Sequence, residues 1–514
     1  MQPLAAQPFS ITEIHRTMLE NYFSRFRKNV IGIDQTFHSP YGQKTIIYAD
    51  WTASGRLYLP IEKRLMEEIA PFVGNTHTET SVTGTTMTLA YHEALNTIKK
   101  HVGARPSDVI ISSDSGMTGV VNKLQRMLGL KVHEKFADQV HLAEEDRPVL
   151  FCTHMEHHSN QTSWLETIAE VQVIQATDDG RVDLEHLKQL LKKFENRKRK
   201  IAAVTSCSNV TGISTPYYQI AEIMHQHGGL CFVDFAAAAP YININMRPEN
   251  EMQHLDALYF SPHKFLGGPG TTGILVFDPS LYHNRIPDHP GGGTVDWTNP
   301  WGEHKYIDEI EAREDGGTPA FLQTMKVALC VKLKEEMGVE NMLAREEELM
   351  HILWGGLKKI SNLHLLAGNI DERLGIVSFY IENLHYNLIV RLLNDRFGIQ
   401  ARGGCSCAGT YGHFLLHVSP NQSKTITDRI SLGDNSTKPG WVRVSIHPVM
   451  TDAEAHYIVD ALTQIAAHHL DWSDDYVYNV KKNEFYHKSE DRSSVERVKD
   501  WFEKPLGVME EAMV

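Results

Sequence analysis

The sequence predicts an α/β protein in which a large domain built on a mostly parallel sheet precedes a smaller α+β domain. Three observations predict it. Between residues 108 and 277, short runs of near-continuous apolar residues alternate with helical patterns, as expected of strands covered on both faces. Beyond Pro290-Gly-Gly-Gly293 that alternation gives way to long helical stretches with isolated strand signals. A chain of 514 residues also exceeds what one hydrophobic core usually holds, which calls for a second domain.

The elements follow in order. Residues 1–44 read as an arm, with a helix over 10–30 whose Ile14, Met18, Tyr22 and Phe26 recur at helical spacing. The large domain is placed at 45–315. It opens with a short strand at 45–48, the polar loop Ala49-Asp-Trp-Thr-Ala-Ser-Gly55 and a helix over 60–69. Residues 74–86 are too polar and too rich in threonine for a core and are predicted as a loop, with room for a functional role. Strands are expected at 108–112, 149–152, 201–204, 230–233, 258–260 and 273–277, and helices at 120–128, 184–194 and 218–227. The small domain, 316–470, should hold helices over 319–337, 339–360, 386–396 and 452–468 and strands at 374–381 and 441–445. A charged extension, 471–514, closes the chain with one helical pattern ending near residue 502.

Composition excludes several classes. A hydrophobic content of 42%, a charged content of 22% and a mean hydropathy of −0.31 describe an ordinary soluble enzyme. The formal charge of −14 argues against nucleic acid as partner, and the one basic run, Lys192-Lys-Phe-Glu-Asn-Arg-Lys-Arg-Lys200, reads as a solvated helix end. No apolar run is long enough to cross a bilayer and the first residues lack a signal pattern, so a cytoplasmic protein is expected, with no membrane partner. Six sparse cysteines in such a setting suit reduced thiols.

In a parallel sheet ligands bind beyond the carboxyl ends of the strands, so those ends are where chemistry is sought. The strand at 108–112 leads into Ser113-Asp-Ser-Gly-Met-Thr-Gly119, small residues opening a helix, whose free N–H groups suit a phosphate. The next two ends carry Met155-Glu-His-His-Ser-Asn160 and Ser206-Cys-Ser-Asn-Val-Thr-Gly212. The strand at 230–233 ends in Asp234 before an alanine run, an acid that needs a cationic or hydrogen-bonding partner if buried. After 258–260 comes Lys264, held between an apolar strand and the turn Gly267-Gly-Pro-Gly270, where its amine can be partly desolvated and nucleophilic. A lysine, an aspartate, an imidazole and a phosphate-ready helix start are together what pyridoxal 5'-phosphate requires, the aspartate keeping the ring nitrogen protonated.

The set His157, Asn209, Asp234, Ser261-Pro-His-Lys264 and Gly268-Pro-Gly-Thr-Thr-Gly273 resembles the class V aminotransferase family, and within it the cysteine desulfurase branch. The resemblance covers about residues 45–470 and implies a fold-type I homodimer. It implies Lys264 as the Schiff-base lysine and base at Cα, Asp234 as partner of the pyridine nitrogen, His157 as the ring stacked on the cofactor and Asn209 as donor to its phenolic oxygen. Gly116, Met117 and Thr118, with Ser261 and His263, are implied to hold the phosphate. Thr318, in Gly316-Gly-Thr-Pro319, is implied to reach the neighbouring subunit's site. Arg443 matches the arginine that forks onto the substrate carboxylate, a structural ion pair being the alternative. In Ala401-Arg-Gly-Gly-Cys-Ser-Cys-Ala-Gly409, Cys407 falls at the position of the sulfur-accepting thiol, with Arg402 nearby to favour its ionisation and Cys405 as a second candidate. No second cysteine pair or His-x-x-His accompanies these thiols, so no metal site is expected there.

The implied function is conversion of L-cysteine to L-alanine, with the sulfur left on the enzyme as a persulfide for an acceptor protein. The alternatives are an aminotransferase, epimerase or β-lyase acting on another amino acid, and a sulfur-carrier scaffold loaded by another enzyme. Three departures from the resemblance bear on this choice: Ala237 stands where desulfurases have glutamine, the loop carries two cysteines, and a polar insertion spans 417–440.

Overall fold

The computed structural model describes residues 13–76, 78–113, 115–489 and 493–506. Its centre is a seven-stranded sheet of β1 (Val109–Ser113), β2 (Val149–Thr153), β3 (Glu170–Ile174), β4 (Lys200–Thr205), β5 (Leu230–Asp234), β6 (Ala257–Phe260) and β7 (Gly273–Phe277). The spatial order is β1-β7-β6-β5-β4-β2-β3. All pairs among β2 to β6 are parallel, and β7 runs antiparallel to both its neighbours. The reason lies in the connection. The twelve residues 261–272 that join β6 to β7 hold one short helical turn, Pro262–Lys264, and no crossover helix of the kind a parallel return usually takes.

Six strands fall where apolar runs predict them. The seventh, β3, does not, because Glu170-Val-Gln-Val-Ile174 is a half-buried edge that alternates polar and apolar residues. The loop expected over 74–86 also needs correction. Ser81 caps a helix, Val82–His101, by accepting the Gly84 N–H at 3.3 Å, so residues 82–86 are its first turn. A Cβ on Gly84 would meet the Thr78 carbonyl at 2.8 Å, which explains a glycine inside this polar helix start. Met87, Tyr91 and Ile98 then bury one face of the helix, which packs on the helix Phe321–Met337.

The arm helix is Glu13–Arg27, and its predicted residues 10–12 lie outside the described residues. Phe23 and Phe26 are buried and the Tyr22 hydroxyl donates to the Met337 carbonyl at 3.1 Å, whereas Met18 is exposed; the buried face is rotated from the expected one.

A second sheet is formed by β8 (Leu363–Leu365), β9 (Ile376–Ile381), β10 (Arg402–Gly404) and β11 (Trp441–Ser445), in the order β8-β9-β11-β10 with every pair antiparallel. Its register sets Arg402 directly opposite Arg443. The helices Tyr386–Phe397 and Asp452–Ser473 pack against each other beside it. The polar insertion forms the helix Pro420–Ser431, started by a reciprocal Ser419–Gln422 capping box and burying none of its residues. The extension adds a hairpin, Tyr476–Asn479 with Glu484–His487, absent from the sequence reading, and the helix Ser493–Glu503. Among the described residues no helix is long and apolar enough to cross a membrane, and all six thiols are free.

The segment between residues 45 and 55 stitches the two sheets together. Ile47 and Tyr48 pair in parallel with Ile399 and Gln400, and the Ser445 N–H donates to the Ala49 carbonyl at 2.8 Å. On the other side the Gly55 N–H donates to the His263 carbonyl at 2.8 Å.

Candidate active site

A cavity of about 200 Å³ lies at the carboxyl ends of β2, β4, β5 and β6, between the large sheet and the edge of the small one. Its floor comes from the strand ends. Lys264 closes the short helical turn Pro262–Lys264 that follows β6. Burial, together with the Arg443 and Arg402 charges, lowers its ammonium pKa from 10.5 to about 8, although Asp234 and Asp50 pull the other way. Gly55 holds this turn from behind, since a Cβ there would stand 1.8 Å from the Phe265 carbonyl oxygen.

Asp234, the last residue of β5, is 2% exposed. Desolvation raises its pKa to about 6, and the Ala236 N–H, donated to Oδ1 at 2.8 Å, and the Lys264 charge limit the rise. His157 caps the helix His158–Leu165, its Nδ1 accepting the Ser159 N–H at 3.1 Å, and so carries its own proton on Nε2. Burial and the neighbouring Lys264, His158 and Arg443 charges lower its pKa to about 3, which makes it a neutral ring at any physiological pH.

Beneath these groups lies an unforeseen buried carboxyl, Glu156, whose pKa burial raises to about 7. It accepts the Thr153 hydroxyl at 2.6 Å, the Thr205 N–H at 2.9 Å and the Asn160 amide at 2.8 Å. Those bonds fasten the loop bearing His157 to the end of β4.

The helix Gly116–Met127 points its N-terminus at the cavity, and Ser115 makes no side-chain cap on it. The Met117 N–H donates to Ser261 Oγ at 2.8 Å, and Thr118 Oγ1 lies 2.7 Å from Ser159 Oγ. Gly116 has φ +65°, and a Cβ there would come within 2.9 Å of Ser261 Oγ. His263 stands beside it, its pKa lowered to about 4 by burial and by the Lys264 charge.

The small sheet supplies the wall. Arg443 is 3% exposed; one terminal nitrogen donates to the Asn209 carbonyl at 3.0 Å and the other to Asp50 Oδ1 at 2.8 Å. Arg402 Nε donates to Asp50 Oδ2 at 3.1 Å, so one carboxylate bridges both arginines. Tyr48, in the strand leading to Asp50, has its pKa raised to about 12 by burial and that carboxylate. Sequence reasoning missed Asp50; its one signal was a lone acid among small residues between a strand and a helix.

The roof is the loop 405–408. Ser406 and Cys407 both hold left-handed backbone angles, φ +49° and +55°. Three bonds fix them: His158 N–H to the Cys407 carbonyl at 2.7 Å, Gly409 N–H to His158 Nε2 at 2.9 Å, and Asn209 Nδ2 to the Ser406 carbonyl at 2.8 Å. Cys407 is exposed and lines the cavity. Cys405 is half-buried, packed against the apolar core, and is not among the lining residues. Thr318 lies on an exposed turn and does not line the cavity of its own chain. Gly116 sits just behind the lining; apart from it, Cys405 and Thr318, the site residues singled out from sequence all line the cavity, and Thr52, Thr205 and Cys207 are lining residues that sequence reasoning missed.

A ligand with several polar substituents fits this cavity. Four of the residues lining it, Thr52, Asn209, Ser406 and Arg443, each keep a buried polar atom with no hydrogen-bond partner: Thr52 Oγ1, Asn209 Oδ1, Ser406 Oγ and Arg443 Nε. With a carboxyl for a ring nitrogen, an amine of lowered pKa and an uncapped helix start, the donor set suits pyridoxal 5'-phosphate.

A profile of the aminotransferase class-V family matches residues 47–458, well over half of the chain, and the chain belongs to that family. It is 27% identical over 369 residues to a protein of Staphylococcus aureus (strain N315) named probable cysteine desulfurase, a match covering 71% of this chain and 84% of the relative. A probable cysteine desulfurase of Halalkalibacterium halodurans is 26% identical over 367 residues, with the same coverage. Two solved structures share the fold: the apo cysteine desulfurase of Thermococcus onnurineus NA1 (TM-score 0.67, 21% identity) and a cysteine desulfurase of Escherichia coli in an S-sulfonic acid form (TM-score 0.66, 18% identity). Each match covers 86% of this chain and 98% of the other.

Proposed function

Taking membership of that family as the premise, we propose that this chain is a pyridoxal 5'-phosphate-dependent enzyme of cysteine desulfurase type, moving sulfur from L-cysteine onto Cys407 and leaving L-alanine. The observation that carries this reading is a single cavity floored by Lys264 and Asp234 and roofed by the exposed thiol of Cys407. When bound, the cofactor supplies an electron-accepting ring that stabilises negative charge at the substrate Cα.

The chain's residues do the rest. Asp234 would hold the ring-nitrogen proton, and the Met117 turn with Ser261 and His263 would hold the phosphate at the helix start. The neutral His157 ring would help to hold the cofactor, and Asn209, with one amide hydrogen spent on Ser406, would offer it the other. Lys264, with its ammonium pKa near 8, would hold the cofactor and supply the amine that takes the Cα proton. Arg443 and Arg402, already arranged around Asp50, receive the substrate carboxylate. Cys407 thiolate attacks the substrate sulfur. The bond from that sulfur to the substrate Cβ breaks, a sulfur–sulfur bond forms, and protonation at Cβ completes alanine, so L-cysteine plus the Cys407 thiol balance L-alanine plus a persulfide.

The proposal extends to a cytoplasmic homodimer in which Thr318 serves the neighbouring site, and to an acceptor protein that relieves the persulfide. It keeps the division at 45–315 and 316–470. Its test is turnover by the purified holoprotein. With L-cysteine and a thiol reductant, alanine and sulfide are expected in equal amounts, and Cys407→Ala should remove both. Transamination, epimerisation or β-elimination of another amino acid that survives loss of both Cys405 and Cys407 would sink the sulfur reading in favour of those activities.

A further inference from the structure

His158, the second histidine of Met155-Glu-His-His-Ser-Asn160, does not line the cavity. It is the first residue of the helix His158–Leu165, so its backbone N–H has no acceptor within that helix. That N–H donates to the Cys407 carbonyl at 2.7 Å, and the ring Nε2 accepts the Gly409 N–H at 2.9 Å. One residue therefore grips the two peptide groups that flank Ala408, directly after the exposed thiol. The grip needs one protonation state. An N–H only donates, so Nε2 must be a lone pair and the ring's own hydrogen sits on Nδ1. Burial lowers the pKa of this ring from 6.5 and keeps it neutral. The grip also needs a bare Cα at 409, where a Cβ would stand 3.1 Å from Nε2.

The roof does not depend on His158 for its shape. The Ala408 N–H donates to the Cys405 carbonyl at 2.9 Å, and with positive φ at both Ser406 and Cys407 this closes a turn of its own. What such a turn lacks is a fixed position relative to the floor. Asn209 holds it at the Ser406 carbonyl, ahead of the thiol, and His158 holds it behind. The residues before His158 carry that hold down to the sheet. His157 lines the cavity, and Glu156 accepts the Thr205 N–H at the end of β4 at 2.9 Å. Glu156, His157 and His158 thus run in consecutive residues from sheet to cavity to roof.

We propose that His158 is a positioning residue for the Cys407 thiol: its acceptor nitrogen and its backbone N–H fix where the turn stands over the cavity, and so whether the thiol reaches the substrate sulfur. A misplacement of about 1 Å can cost about 10²-fold in rate. The two bonds therefore act on sulfur transfer and not on retention of the cofactor. The inference rests on the sulfur reading above for what the thiol does, and on the hydrogen bonds alone for how it is held.

Three substitutions separate the acceptor from the bulk of the ring. Glutamine carries an oxygen as many bonds from Cβ as Nε2 is, asparagine's oxygen is one bond short, and alanine has none. With the holoprotein and L-cysteine, His158→Ala and His158→Asn should lower kcat for sulfide release by up to about 10²-fold, with KM and the visible cofactor band kept. His158→Gln should recover most of that loss. Gly409→Ala crowds the same nitrogen and should also lower kcat, although alanine is the better helix former. A second readout needs no turnover. Iodoacetamide labelling of the holoprotein, followed by mass spectrometry, should modify the half-buried Cys405 faster in His158→Ala than in the parent or in His158→Gln. A parent that releases no sulfide counts against the sulfur reading, and the labelling then decides the positioning role by itself. Parental labelling of Cys405 in His158→Ala, or a glutamine variant as impaired as the alanine one, would overturn the proposal.

Discussion

The floor and the roof of the cavity are built on different terms. The floor gathers Lys264, Asp234 and His157 on the ends of buried strands and a helix, where desolvation moves each group away from its ordinary protonation. The roof is a four-residue loop with two left-handed non-glycine residues, an exposed thiol and three hydrogen bonds to the large domain. The floor is chemically tuned and fixed in place. The roof presents its thiol to solvent, which suits the proposed reaction, where that thiol meets both substrate and an acceptor.

The largest expected effect breaks the floor. Lys264→Ala should abolish the visible band that the cofactor gains through its lysine and lower turnover by up to about 10⁴-fold, the upper range for a positioned acid or base. Retention of that band would mean that another amine holds the cofactor. Next comes the roof: Cys407→Ala should lose sulfide release while keeping the cofactor band, whereas Cys405→Ala, at a position outside the cavity, should stay within a few-fold of the parent. If mass spectrometry finds the persulfide on Cys405, the contrast between the two thiols fails.

Between floor and roof stands Asp50. Replacing it by asparagine leaves the buried Arg443 charge uncompensated, a change that typically costs about 3–5 kcal/mol. Asp50→Asn should therefore lower the denaturation midpoint, through the uncompensated charge, and raise KM for the amino acid, because Arg443 loses its orientation. An unchanged KM would argue that the ion pair is structural and that the carboxylate binds elsewhere.

These residues also show how far the sequence was legible. Strands buried on both faces announce themselves as apolar runs, so six of seven and the residues at their ends could be placed. The edge strand β3 could not, because its exposed positions are polar. Asp50 was opaque for a different reason: its partners lie 352 and 393 residues away, and no local pattern encodes such a pairing. The choice between Cys405 and Cys407 was equally closed to sequence, since it depends on two left-handed residues that turn one thiol out and leave the other against the core. The start of the helix Val82–His101 was misread because threonines in a first turn look like a loop until Ser81 is seen to cap it.

The lowered pKa at Lys264 gives the floor a pH signature. Because its pKa is about 8 in the folded protein against an ordinary 10.5, the unfolded chain binds more protons between those values. Stability of the apoprotein should therefore rise with pH across that interval, as the penalty for burying the amine in neutral form disappears. Cofactor uptake should rise through pH 8 with the fraction of free amine. Lys264→Met removes both trends; a stability slope between pH 8 and 10.5 that persists in that variant would assign it to another group.

The smallest effect belongs to the roof and has the opposite sign. A left-handed conformation costs an L-residue roughly 1–2 kcal/mol. Glycine escapes that cost but gives the unfolded chain about 0.4–1 kcal/mol more entropy to lose. Ser406→Gly should thus stabilise the protein by about 0.5–1 kcal/mol, read as a higher urea midpoint at unchanged slope. The floor answers in reverse. Gly55→Ala drives a Cβ to 1.8 Å from the Phe265 carbonyl oxygen and must displace the Lys264 turn, lowering both stability and cofactor retention. If Ser406→Gly instead destabilises, the roof is held by its side-chain environment and the strain assigned to residues 406 and 407 is not what keeps it poised.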